Sequence, residues 1–178
     1  MGCARWVEKT PKHVRRIQTL LEYRPSGKVI VILRDGRDVA CSIRDRTGDF
    51  ESAVERWVTD NRRAEEHLTD TRVKRIKYEN VVQDFEGTIK SVCKFLDEKY
   101  DESMRLFHKR DRYYYDWRIA KPSSPENHER LRNWQVNQPL YDGSSRWRDD
   151  MSSREKKAFK EVAGEMLIEY GYANGLDW

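Results

Sequence analysis

KVIVILRDGRDVACSI, residues 28–43, is the stretch on which the fold turns. Residues 29–33 are five apolar side chains in a row, four of them β-branched. That composition predicts a strand buried on both faces, as in a parallel sheet covered by helices. The run stops at Arg34, passes through Asp35, Gly36, Arg37 and Asp38, and becomes helical with Ser42 inside. Charge at the carboxyl end of a buried strand has two readings. Arg34, Asp35, Arg37 and Asp38 pair with each other and with Asp45, as short charged clusters often do. Alternatively, the Arg34 guanidinium fork and the Ser42 hydroxyl, eight residues on, clamp an anion. In open α/β sheets ligands collect at that edge, where helix N-termini offer unpaired N–H groups. Gly36 is expected to let the backbone turn tightly.

Outward from this stretch the helix and strand signals alternate. Thr10 followed by Pro11 predicts a helix start with a side-chain cap, and Val14, Ile17, Leu20 and Leu21 form its apolar face. Phe50, Val54, Trp57, Val58, Asn61, Ala64 and Leu68 keep helical spacing. A weaker strand, RVKRIKYE, carries Val73, Ile76 and Tyr78, and Phe85, Ile89, Val92, Cys93 and Leu96 mark another helix. Residues 108–128 read as an irregular loop. Ser152 and Glu155 make a capping box, Ala158, Val162, Met166 and Leu167 the face of the helix it opens, and Gly171 its end. The expected fold is α/β, a three-layer arrangement of a parallel sheet with helices on both faces. It forms one domain over residues 1–178.

Composition narrows the function classes. Lys+Arg 35 against Asp+Glu 31 gives +4, and charged residues make up 37% of the 178. Interspersed signs describe a solvated ionic surface rather than a nucleic-acid stripe. No apolar segment is long enough for a membrane span or a signal peptide, and MGCARW carries Trp6 where a myristoylation signal wants Ser or Thr. Cys3, Cys41 and Cys93 are scattered, with no CxxC or Cys/His cluster. The expectation is therefore no metal and a reducing, cytoplasmic setting.

ILRDGRDVACSI resembles the 3′-phosphate-binding segment of sulfotransferases that use 3′-phosphoadenosine 5′-phosphosulfate (PAPS). The likeness extends to WVEKTPKHV, RDGRDVA, IKYENVVQD and PLYDGSSRWRDDMS with the later GYA, in the order seen in the bacterial and Golgi-type branches. Four motifs in order over nearly the whole chain are far more specific than any one alone. The resemblance implies a P-loop-NTPase-like fold. It also implies sulfuryl transfer from PAPS to a hydroxyl or amine acceptor, such as a carbohydrate or other small molecule, with 3′-phosphoadenosine 5′-phosphate (PAP) as product. By resemblance Arg34 and Ser42 hold the 3′-phosphate, Tyr78 lies near the adenine, and Ser145, Arg146 and Trp147 close over the donor. Lys9 contacts the moving sulfonate or the bridging oxygen, a role the resemblance extends to Ser145.

Sulfuryl transfer makes the demands of phosphoryl transfer: in-line displacement with charge spread over peripheral oxygens, served by fixed cations and hydroxyls without an obligatory metal. An acceptor hydroxyl also needs a base. Glu8 has the chemistry, and in some carbohydrate-modifying relatives a glutamate near this position acts so. Equally, Glu8 forms a salt bridge or favours the helix dipole. His13 is the second candidate. Trp6 reads as core packing. Tyr113, Tyr114 and Tyr115 read either as acceptor-pocket wall or as a self-anchoring loop.

One family element has no counterpart. The Gly-rich turn G-x-x-(K/R)-(S/T)-G-T-(S/T), whose backbone N–H groups cradle the 5′-phosphosulfate, is not found before Gly27, where the only glycine is Gly2. The expectation is a domain truncated at its N-terminus; a second explanation is that another chain or segment supplies the missing strand. The alternative is a non-catalytic module of the same fold that binds the 3′-phosphoadenosine nucleotide. A P-loop kinase would need a Walker loop and gives no reason for the Arg34/Ser42 spacing.

Overall fold

The computed structural model describes residues 5–109, 134, 135 and 137–178. The chain divides into two compact units, Met1–Tyr78 with Gly143–Trp178, and Glu79–Asp142. Tyr113, Tyr114 and Tyr115 and most of the expected loop lie outside the described residues. Residues 108 and 109 close a 3₁₀ helix, Glu102–Lys109.

The first unit is built around two parallel strands, β1 (Val29–Leu33) and β2 (Val73–Lys77), in register Val29↔Val73 through Leu33↔Lys77. Between them run α2 (Gly36–Thr47) and α3 (Phe50–Glu65). Before β1 a 3₁₀ segment, Pro11–Arg16, leads into α1 (Ile17–Tyr23). After residue 143 come the short α6 (Trp147–Asp150) and the long α7 (Ser153–Glu169). The second unit contains most of α4 (Tyr78–Gln83), all of α5 (Phe85–Leu96) and the 3₁₀ helix Glu102–Lys109. In α5 the Asp84 carboxylate accepts from the Gly87 N–H, and Asp97 ends the helix in the left-handed region.

The expected strand burial holds for one face only. Val31 and Leu33 are buried, whereas Ile32 between them is 63% exposed. The reason is the strand's period of two. Leu33 belongs to the core cluster that holds Trp57 of α3 and Phe159 and Leu167 of α7, and Val31 to the one that holds Ile17 and Leu21 of α1, while Ile32 points to the opposite face. Among the described residues the sheet has two strands, so a full three-layer sheet is not what they form.

Three local expectations are corrected. Thr10 makes no side-chain cap; its hydroxyl donates to Glu8 instead, and Pro11–Arg16 is 3₁₀ rather than α. Trp6 is 68% exposed, not core. Gly36 has no positive φ; a Cβ there would lie 2.6 Å from the Trp57 ring and 2.8 Å from Phe159, so the glycine is required by close packing rather than by a turn. The α7 capping box forms as expected, with Ser152 accepting from the Glu155 N–H, and Gly171 follows the helix at φ 71°. Its buried face is Phe159, Ala163, Met166 and Leu167, because Val162 points to solvent.

Candidate functional site

Arg34 follows the last residue of β1, and its carbonyl accepts from the Trp57 indole N–H at 3.1 Å, which fixes the strand end against α3. Its guanidinium lies 4.4 Å from the centre of the Tyr78 ring and donates one hydrogen bond, from Nη2 to the Gly143 carbonyl at 2.5 Å. Tyr78 reaches the same peptide segment: its hydroxyl accepts from the Gly143 N–H at 3.4 Å. The Arg34 Nε–H is buried and has no hydrogen-bond partner among the described residues. A buried, charged donor without an acceptor costs on the order of 1–3 kcal/mol.

The neighbouring charges are spent differently. The Asp35 carboxylate caps α2 by accepting from the Arg37 N–H, so this helix start is already filled by an acid and does not present all its N–H groups to a ligand. Arg37 is 4% exposed; its Nε and Nη2 donate to Asp35, Nη2 also to the Tyr172 carbonyl, and it stacks over Trp147 and Trp178. Asp38 is fully buried and accepts two backbone N–H bonds, from Ser145 at 2.8 Å and Trp147 at 3.0 Å. Burial pushes its carboxyl above the usual range, and the Trp147 and Ser145 N–H groups oppose that rise. Asp38 thus ties residues 143–147 to α2 beside the strand end. Sequence reasoning assigned it only to local pairing, since its partners lie more than a hundred positions away.

The other expected residues fall as follows. Ser42 is half-buried in the second turn of α2, whose N-terminus abuts Arg34. Ser145 adopts a left-handed φ of 64°, unusual for a residue with a Cβ, held there by the Asp38 bond. Arg146 is engaged at both ends of its fork, Nε to Asp150 at 2.5 Å and Nη2 to Asp45 at 2.7 Å. Trp147 is 3% exposed and belongs to the core. Glu8 and Lys9 are exposed in the segment before the 3₁₀ turn. The Glu8 carboxylate accepts from the Thr10 hydroxyl at 2.5 Å and meets His13 Nδ1 at 2.6 Å, and these bonds hold its pKa below the usual range, Thr10 first.

Arg34, Tyr78 and Ser145 therefore gather round residue 143 at the carboxyl edge of a parallel strand, the place where α/β proteins bind anionic ligands. The described residues thus place an arginine fork at the carboxyl end of a parallel strand in an α/β fold. Residues 2–102 match the sulfotransferase family, and the chain belongs to that family. A solved structure with the same fold is described as the mouse sulfotransferase SULT7A1 complexed with PAP; it matches at TM-score 0.54 and 22% identity. That match covers 84% of this chain and 61% of the mouse chain, so this chain spans less than two thirds of the length of its solved relative. Among curated proteins none matches. Among the described residues no helix is long and apolar enough to cross a membrane.

Proposed function

We propose that this chain is a partial PAPS-dependent sulfotransferase domain of P-loop-NTPase-like, three-layer architecture, and that it binds the 3′-phosphoadenosine end of the donor. The observation that carries this reading is the buried, unpartnered Nε–H of Arg34, stacked on Tyr78 at the strand end. A 3′-phosphate offers acceptor oxygens to that donor and to Nη2, which now bonds the Gly143 carbonyl. Arginine suits this role because its planar fork binds phosphate bidentately. Ser42 supplies a hydroxyl from α2, and Tyr78 gives the adenine an aromatic neighbour. Arg146, held by Asp45 and Asp150, supports the closing segment with Trp147 beneath it.

When bound, PAPS supplies the sulfuryl group. Lys9, with the Ser145 hydroxyl, neutralises charge on the moving group and the leaving oxygen, and Glu8 lies beside Lys9 on the acceptor side. The acceptor is a hydroxyl or amine of a carbohydrate or other small molecule, the strand carrying the Gly-rich turn comes from another segment or chain, and the setting is cytoplasmic.

Calorimetry with PAP tests the reading. Binding is expected for the wild type, with Arg34→Ala weaker by about 100-fold and Ser42→Ala by about 10-fold, as loss of charged and neutral hydrogen bonds predicts. PAP binding that is absent, or equal in Arg34→Ala and the wild type, overturns the assignment. Binding without sulfuryl transfer to any acceptor favours the non-catalytic nucleotide-binding module.

A further inference from the structure

Glu8 and His13, the two candidate bases, are in contact. Glu8 Oε2 lies 2.6 Å from His13 Nδ1, and the Thr10 hydroxyl donates to Glu8 Oε1 at 2.5 Å. The His13 N–H donates to the Thr10 carbonyl at 2.9 Å, so the turn holding the two side chains is closed by its own backbone. Pro11 fixes φ inside it. Both oxygens of the Glu8 carboxylate are thus engaged, and its affinity for a proton is lowered. A carboxylate only accepts hydrogen bonds, so the imidazole nitrogen facing it carries the proton. In the neutral ring the other nitrogen, Nε2, then has a free lone pair. The ring is about two-fifths exposed, enough for a substrate hydroxyl to approach. Lys9, placed by the proposed function at the moving sulfonate, lies inside the same turn.

We propose that Glu8 and His13 act as a dyad: the Glu8 carboxylate holds His13 in the Nδ1–H tautomer, and His13 Nε2 takes the proton from the acceptor. This deepens the sulfotransferase reading and rests on it. In the step, the acceptor O–H bond breaks and its proton moves to Nε2. The acceptor oxygen forms a bond to sulfur, and the bond from sulfur to the bridging phosphate oxygen breaks, its electron pair leaving with PAP. The imidazolium so formed faces the Glu8 carboxylate, which stabilises it. Glu8 is the positioning residue and His13 the catalytic one.

Long-range ¹H–¹⁵N correlation of the imidazoles, assigned with His13→Gln, reads the tautomer directly. The neutral His13 ring is expected to carry its proton on Nδ1, and Glu8→Ala is expected to return it to the Nε2–H form that free imidazole side chains favour. A dominant Nε2–H form in the wild type, or no change in Glu8→Ala, overturns the dyad. Transfer assays with PAPS and two probe acceptors, 2-naphthol and N-acetyllactosamine, read the role. His13→Gln should lower kcat by about 100-fold, within the range for loss of a general base, with KM for PAPS unchanged. Full activity in His13→Gln, with activity lost in Glu8→Gln, overturns the role and makes Glu8 the base. If PAP binds and the tautomer is as expected but the wild type transfers no sulfate, catalysis by this chain has failed, and the base role falls with it while the dyad stands.

Discussion

Arg34 and Arg37 stand three residues apart at one strand end and live in opposite circumstances. Arg37 is almost completely buried and heavily engaged: two bonds to Asp35, one to the Tyr172 carbonyl, and two indole rings against its planar group. Among the described residues Arg34 donates to the Gly143 carbonyl, has a ring on one side, and keeps a buried N–H with no acceptor. A folded chain tolerates a buried charge when its hydrogen bonds are complete, and an incomplete set calls for strain, water or a ligand to account for it. The pair therefore sets an arginine held inside the fold beside the one proposed to bind the donor, within a single turn of chain.

The largest effect should come from the satisfied member. Arg37→Met takes the guanidinium away from the buried Asp35 carboxylate and should cost about 3–5 kcal/mol, the range for breaking a buried pair from one side. Urea unfolding measures it, and a stability near wild type would erase the contrast. Arg34→Ala should shift the same curve by less than about 1 kcal/mol, because it removes one hydrogen bond together with an unsatisfied donor. A loss as large as that of Arg37→Met would make both arginines structural.

Asp38→Asn keeps one acceptor of two and should cost about 1–2 kcal/mol. Its pH signature has a definite sign. Burial raises the folded pKa above the unfolded one, so the folded chain retains this proton longer. The contribution is therefore fully present below the unfolded pKa and is lost as pH rises through the folded value. Stability curves of the wild type and Asp38→Asn should differ by that decline, and parallel curves would place the carboxylate outside the coupling. A shift of the opposite sign belongs to Ser145→Gly. Relief of a left-handed φ should stabilise by about 1 kcal/mol. If the Ser145 hydroxyl touches the donor, the same variant should lose transfer activity while its melting temperature rises.

Much of the scaffold was legible in sequence because its signals are local. The β-branched run marked β1, the 3.6-residue spacing marked α3 and α5, and Ser152 with Glu155 marked the start of α7. The strand-end arginine was legible too, since charge following a buried run is itself a signal. Other features depend on residues far apart in the chain. Nothing near Asp38 announces that its partners are the N–H groups of Ser145 and Trp147. Gly36 looked like a turn residue, and only the rings of Trp57 and Phe159 disclose that it makes room. Trp6 and Val162 matched buried patterns and face solvent, because pattern specifies a period and not which neighbours arrive to cover it.

The sequence by itself determined the α/β rhythm, the strand that delivers Arg34, the family motifs and the residue types available for chemistry. Their information lies within a few turns of chain. Tertiary structure alone decided how the clustered charges are satisfied, by bringing the Tyr172 and Gly143 carbonyls and the Ser145 and Trp147 N–H groups to them. A hydrogen-bond account closes only when every donor and acceptor, however distant in sequence, has been brought into place.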